Sequence, residues 1–302
     1  MKRKILYLIA RALFFLPDSW MLRLQYFIKN KRVLHLKNPQ RFTEKLEHYK
    51  CYYRNEDMQI CTDKYAVRGY VEKKLGTDKY LNKLYQVCEK AEDIDFASLP
   101  NQFVIKTTDG GNGVNIVVCR DKTKLDIEHT VNLIKSWKTI KYEALSREWA
   151  YEWASKKGGE RKPMVIVEQY LESKNNADGS IDDYKLLCYD GKFRFLWIDK
   201  NRYSNHKRGF WNEKLEFLDG VYSDHPTFDE AIPLPENIQE MIEVAEKLAK
   251  GFPFVRVDFY NIEGKIYFGE MTFYPWSSFV TFTPDSFDFE LGKYFNINYN
   301  DK

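Results

Sequence analysis

The chain has 302 residues, 44% of them hydrophobic and 30% charged, enough for one large or two modest domains with a real core, which excludes disordered and collagen-like classes. The net charge of +3 is unevenly spread: residues 1–37 carry nine basic residues against the single acid Asp18, and the rest of the chain is mildly acidic. Such a body excludes a general nucleic-acid footprint. Cys51, Cys61, Cys88, Cys119 and Cys188 have no C-x-x-C spacing, so neither a zinc site nor a disulfide framework is expected and a reducing, cytoplasmic compartment is.

In chain order, the first element is an apolar run from Ile5 to Leu16, interrupted by Arg11 and stopped by Pro17, too short to span a bilayer. Trp20, Met21, Leu22, Leu24, Tyr26, Phe27 and Ile28 follow, with Arg23, Lys29, Lys31 and Arg32 among and after them. Two readings of residues 1–37 stay open. Either they form basic amphipathic helices lying on the inner face of the cell membrane, or they are helices packed on the main domain or a partner subunit. A signal peptide fits less well, because Arg11 breaks its apolar stretch and no small-residue cleavage site follows.

Residues 41–76 read as helical, closed by Gly76. From about residue 80 the pattern turns to short strands, YLNKLYQVC, QFVIKTT and VNIVVC. A helix is expected over 126–156, with Trp137, Tyr142, Leu145, Trp149 and Trp153 on its buried face. Strands at PMVIVEQYL, DYKLLCYDG and KFRFLWIDK, a helix at 235–250 and the strands FVRVDFYN and KIYFGEMTF complete the chain. Short turns pair most strands, so the class is α+β with antiparallel sheets.

Between two of these strands lies TTDGGNG, with Lys106 at the end of the first strand and Gly110, Gly111 and Gly113 in the turn. Glycines let backbone N–H groups approach phosphates and the lysine supplies a point charge, so the segment suits a phosphate-covering hairpin. The open alternative is a glycine-rich turn beside an incidental lysine. No G-K-[ST] opens a helix, and a strand follows the glycines, so neither a P-loop nor a Rossmann fingerprint is present.

The closing strands carry a second constellation. Alternation places Arg256, Asp258 and Tyr260 on one face and Val255, Val257 and Phe259 on the other. The turn at Ile262–Lys265 returns the chain so that Glu270 lies near Asp258. Two close carboxylates need a neutralising cation, and a divalent ion holding nucleotide phosphates would serve. Arg256, on the same face, suits an anionic intermediate. The alternative is a solvated strand face, which the apolar Phe254, Tyr267 and Phe268 disfavour.

Taken together, NPQRFTEKLEHYK, TDKYAVRGYV, LPNQFVIKTTDGGNG, VEQYL, DYKLLCYDGK and VRVDFYNIEGKIYFGEMTFYP resemble the ATP-grasp superfamily, and more narrowly its TupA-like members associated with bacterial surface-polysaccharide biosynthesis. The resemblance implies two α+β subdomains gripping ATP between antiparallel sheets. It divides the chain into the N-terminal segment 1–37, a helical and nucleotide-covering part over 38–167, and a C-terminal part with the metal site over 168–302. It implies that Lys106 contacts ATP phosphate beneath the Gly110–Gly113 loop, that Glu168 approaches the adenine amino group, and that the backbone at Tyr170 and Leu171 pairs with the ring edge; a buried strand end is the competing reading of VIVEQYL. Asp183 and Lys185 match positions facing ribose and phosphate, and Asp258 and Glu270 match magnesium-binding carboxylates. Thr272 stands where many relatives carry asparagine, and its hydroxyl can still approach the metal.

Most ATP-grasp ligases open with a βαβ domain, whereas the first hundred residues here read as helices, so substrate recognition is expected elsewhere. Arg202, His206, Arg208 and Trp211, in a polar stretch, are the candidates, with arginines for a carboxylate and Trp211 to stack on a sugar. The alternative is a solvated loop. The implied reaction is ATP-dependent joining of a carboxylate, such as a uronic acid of a capsular precursor, to an amine through an acyl phosphate, with Arg256 and Lys106 as the catalytic cations and Mg²⁺ on the carboxylates. A glycosyltransferase using a sugar nucleotide, or a non-catalytic membrane-assembly module, are the alternatives.

Overall fold

The computed structural model describes residues 15–110, 113–137, 146–154, 161–173, 176 and 179–298. The run before Phe15, Gly111, Tyr142 and Leu145 lie outside the described residues. The chain divides into two compact units, formed by the described residues of 1–55, 142–149 and 173–302 and by those of 56–141 and 150–172.

The first unit begins with α1 (Asp18–Asn30), which buries Met21, Leu22, Tyr26 and Asn30. Pro17 precedes it, where a missing N–H costs nothing, and Lys31 ends it in the left-handed conformation. The Tyr26 hydroxyl lies 2.8 Å from the Thr43 hydroxyl, which in turn donates to Asp288 at 2.8 Å, tying α1 to α2 (Phe42–Tyr52) and α7 (Ser286–Lys293). The packing reading of the N-terminal segment therefore holds for one face of α1. Its opposite face is exposed.

The unit's sheet has five antiparallel strands: β5 (Asp183–Tyr189), β6 (Lys192–Lys200), β7 (Lys207–Trp211), β8 (Phe254–Ile262) and β9 (Lys265–Thr272), in the order β7-β6-β5-β8-β9. Helix α6 (Ile238–Ala249) presents Met241, Val244, Ala245 and Leu248 at helical spacing and covers one face, where Val255, Val257 and Phe259 are fully buried. The expected alternation along β8 is what makes this possible: apolar residues meet the helix, and Arg256 and Asp258 turn to the other face.

The second unit contains α3 (Glu56–Cys61), α4 (Ala66–Leu75) and α5 (Ile127–Ser136), with a four-stranded antiparallel sheet of β1 (Leu84–Cys88), β2 (Phe103–Thr107), β3 (Ile116–Cys119) and β4 (Val165–Gln169), in the order β1-β4-β2-β3. Phe103, Ile105, Val165 and Val167 form its core with Phe96, Leu99 and Ile134. The long helix expected over 126–156 is shorter: α5 ends at Ser136, Trp137 is already extended, and Trp149–Ala154 is a short 3-10 turn that buries Trp153. Among the described residues no helix is long and apolar enough to cross a membrane.

Candidate active site

The register of the five-stranded sheet assembles one charged face. Asp258 pairs with Lys185 on one side and Glu270 on the other, and Lys185 pairs with Trp197. One row along, Asp183 pairs with Asp199, and Asp199 with Arg208; in the other direction Arg256 pairs with Thr272. Directly opposed residues of antiparallel strands share a face, so all these side chains meet on the side away from α6. A bulge fixes the last pairing: Asp258 faces Glu270 while Phe259 faces Phe268, leaving Gly269 as the extra residue. A Cβ there would sit 3.0 Å from the Asp258 carbonyl oxygen, which is why only glycine suits the position.

Arg256 is the hub. Its Nε donates to Asp258 Oδ1 at 2.6 Å, and its Nη2 donates to Asp258 Oδ2 at 2.5 Å, Glu270 Oε1 at 2.9 Å and Thr272 Oγ1 at 2.9 Å. The Thr272 hydroxyl donates to Glu270 at 3.1 Å. The guanidinium is a bidentate fork matched to carboxylate geometry, so Arg256 already offsets part of the charge of the carboxylate pair. Lys185 donates to Asp258 Oδ2 at 3.0 Å and also pairs closely with Asp183. Burial pushes the Asp258 carboxyl up, to about 6, against the pull of Arg256 and Lys185.

A second hub surrounds Asp199. Arg208 donates Nε to Asp199 Oδ1 at 2.6 Å and Nη2 to Oδ2 at 3.1 Å, and also pairs with Asp224. His206 Nε2 lies 3.0 Å from Asp199 Oδ1, and its ring stacks on His225 at 3.7 Å between centroids. Burial would raise the Asp199 pKa, but Arg208, Lys185 and the His206 hydrogen bond override it and hold this carboxyl well below the usual range. Trp197 lies among the cations, with Arg256 and Arg208 centred 4.7 Å and 5.0 Å from its ring. Trp276 stacks on it at 4.2 Å and donates to Asp224 at 3.1 Å. The chain reaches that position through three successive non-glycine residues at positive φ, Trp276, Ser277 and Ser278, a strained turn held by Lys50 Nζ donating to the Ser277 carbonyl at 2.7 Å.

The predicted substrate residues divide. Arg202 is on the site, donating to Asp183 at 3.0 Å. His206 and Arg208 are on it too, held by carboxylates. Trp211 is not: it is 1% exposed, packed on Phe217 and Phe228. The expected polar loop contains β7, whose alternation puts Arg208 and Phe210 on the charged face and Trp211 on the other, so no sugar can stack on it.

In the second unit Lys106 Nζ lies 2.5 Å from Glu168 Oε2, and Arg68 Nη1 lies 3.5 Å from Glu168 Oε1. β2 and β4 are neighbours, so the predicted phosphate lysine and adenine glutamate share one sheet face. Tyr170 and Leu171 follow β4 directly and are half-buried. Gly110 donates its N–H to the Thr107 carbonyl at 3.2 Å, and Gly113 has φ of 70°, the left-handed conformation that turns the hairpin. A cavity of about 440 Å³ in this unit is lined by Glu89, Lys90, Glu92, Thr107, Asp109 and Lys135 among others; neither Lys106 nor Glu168 lines it.

Asp258, Glu270 and Thr272 offer hard oxygen donors of the kind Mg²⁺ takes with phosphate and water. Glu270 is 45% exposed, so a ligand can reach it, and Asp183 Oδ1 is a buried carboxylate oxygen without a hydrogen-bond partner beside this cluster. The donor set fits the ion. Among the described residues, no group of three or more His, Cys, Asp and Glu side chains forms a metal cage by protein atoms alone.

Asp199, Asp224, His225, Trp197 and Trp276 were not anticipated. Asp199 could have been found, since the Phe195-Trp197-Asp199 alternation puts it on the face of Lys185. Asp224, His225 and Trp276 come from irregular segments that no period marks.

A family model described as TupA-like ATP-grasp matches residues 44–296. No curated protein matches the chain. Among solved structures, a D-alanine–D-alanine ligase from Bacillus anthracis is 18% identical, with 70% of this chain and 57% of that chain covered and a TM-score of 0.42. An N5-carboxyaminoimidazole synthetase from Staphylococcus aureus complexed with ADP is 16% identical, covering 70% and 44%, with a TM-score of 0.42. An L-amino acid ligase from Bacillus licheniformis is 12% identical, covering 76% and 41%, with a TM-score of 0.38. The chain spans about half the length of these structures.

Proposed function

The chain belongs to the TupA-like ATP-grasp family, and from that premise we propose that it is an ATP-dependent carboxylate–amine ligase. The observation that carries this reading is the Arg256 guanidinium gripping Asp258, Glu270 and Thr272 on one sheet face. A buried cation held by carboxylates is a preorganised charge, of use where negative charge develops. No nucleophilic side chain is required, because the chemistry is positioning and neutralisation.

In the reaction we propose, a substrate carboxylate oxygen attacks the γ-phosphorus of ATP. The bond from the γ-phosphorus to the β-bridging oxygen breaks, and an acyl phosphate and ADP result. An amine then attacks the acyl carbon, the acyl carbon–oxygen bond breaks, and inorganic phosphate leaves, taking up the proton that the amine gives up. Arg256 orients the carboxylate and faces the charge that builds on the acyl group; Lys106 leaves Glu168 to meet a phosphate. Asp258, Glu270 and Thr272 would hold Mg²⁺, which when bound neutralises the polyphosphate. Arg202 and His206, with the Trp276 ring in place of Trp211, recognise the acceptor.

For the carboxylate we propose a uronic acid or similar group in a capsular or cell-surface polysaccharide precursor, on family grounds. Five free thiols support a reducing, cytoplasmic compartment, and the basic, apolar N-terminal segment supports a placement at the inner face of the membrane. The test is ADP release in the presence of both a uronic acid and an amine. With a heavy-oxygen-labelled carboxylate the label appears in the released phosphate; unlabelled phosphate would overturn the acyl-phosphate route.

A further inference from the structure

Helix α1 is a 13-residue helix with two apolar faces. One is used: Met21, Leu22 and Tyr26 are buried on the first unit, and Asn30 donates to the Val280 carbonyl at 3.3 Å. The other carries Trp20, Leu24, Phe27 and Ile28, which helical spacing gathers into one stripe, and they are 68%, 40%, 57% and 47% exposed. Phe15 and Val33, at either end, are exposed as well. Scattered exposed apolar residues need no explanation, but a continuous stripe of this size on one element does.

The charges that α1 itself places beside the stripe are basic. Lys31 and Arg23, whose guanidinium also donates to the Leu34 carbonyl at 2.8 Å, border it and Lys37 follows. The single acid of the helix, Asp18, is paired with Arg147 at 3.4 Å. A second copy of the chain is a poor occupant, because it would double the basic charge on this face while the helix's one acid, Asp18, is already paired. A tryptophan and bulky aliphatics bordered by cations suit the boundary between acyl chains and anionic headgroups. At about 20 Å the helix is too short to cross a bilayer, so it would lie along the surface.

We infer that the outer face of α1 docks on an anionic lipid surface, with Trp20, Leu24, Phe27 and Ile28 entering the headgroup region and Arg23 and Lys31 meeting lipid phosphates. The inference gives residues to the membrane-side placement proposed above and does not depend on the ligase reaction.

The test is flotation of the full chain with vesicles of phosphatidylglycerol and phosphatidylcholine, against vesicles of phosphatidylcholine alone. Binding is expected to the anionic vesicles, to weaken with salt, and to fall about tenfold or more in the Trp20→Glu/Phe27→Glu variant. Both residues are exposed, so the variant keeps the wild-type circular dichroism and melting temperature; a variant that melts early is replaced by Lys31→Glu, expected to weaken anionic binding alone. Failure to float, binding unchanged in the variants, or a dimer in solution that Trp20→Glu/Phe27→Glu disperses would overturn the inference. ATP-induced stabilisation, the readout of the ligase proposal, is expected to be the same with and without the substitutions, so either reading can fail alone.

Discussion

The Arg256 guanidinium holds the Asp258 carboxylate by two hydrogen bonds of 2.6 Å and 2.5 Å, from positions two residues apart on one strand. Because β8 alternates, both side chains face away from α6, and the same guanidinium reaches Glu270 and Thr272 on β9.

Removing one partner of this pair strands a buried charge. Arg256→Ala leaves Asp258 with Lys185 alone, and a loss of about 3–5 kcal/mol of stability is expected. Urea unfolding measures it; a loss below about 1 kcal/mol would mean that Asp258 is already neutral in the folded protein.

The bulge at Gly269 is expected to be sensitive as well, though less than the charged pair. A Cβ there meets backbone, the Asp258 carbonyl at 3.0 Å, so Gly269→Ala must push β8 and β9 apart where Asp258 faces Glu270. A cost of about 1–3 kcal/mol is expected, with loss of Mg²⁺-dependent ATP stabilisation. Thermal melts with and without ATP and Mg²⁺ separate the two effects.

In the second unit, Lys106→Met removes a partly exposed cation whose present partner is Glu168. Nucleotide affinity is expected to fall about tenfold or more, as loss of a charge-assisted phosphate contact predicts, and the unliganded melting temperature is expected to fall too, because buried Glu168 is left with Arg68 alone at 3.5 Å. Calorimetric titration with ATP checks this.

A buried cluster beneath the Trp276 turn sets a pH dependence. Burial pushes the Glu47 carboxyl up from 4.5 to about 7, against the pull of Lys50, and raises Glu148 in the same direction. Between these values the folded state binds more protons than the unfolded state, so stability falls as pH rises from 4.5 to about 7. Glu47→Gln is expected to flatten that slope in urea titrations across the window. A slope of unchanged size would place the titrating group elsewhere.

The charged face was legible wherever a strict period carried it. Arg256, Asp258 and Glu270 followed from alternation and a tight turn, and family motifs supplied Lys106, Glu168, Asp183 and Lys185. What sequence could not supply was register. β7 read as a polar loop because it opens with Lys207 and Arg208, charges that an edge strand accommodates, and so Trp211 was aimed at substrate when it lies in the core. Trp276 takes its place beside Arg208 through a left-handed turn that no periodicity predicts. The sequence of the N-terminal segment fits both packing and membrane contact, and α1 buries one apolar face while leaving the other open, a division visible only once its neighbours are in place.

We propose an ATP- and Mg²⁺-using enzyme whose metal carboxylates are Asp258 and Glu270. Thermal-shift titration with ATP and Mg²⁺ and, in parallel, with nucleoside-diphosphate sugars tests it most directly. The account predicts stabilisation by ATP that requires Mg²⁺ and is lost in Glu270→Gln, with none from the sugar nucleotides. Stabilisation by a sugar nucleotide and not by ATP would contradict it and favour a glycosyltransferase.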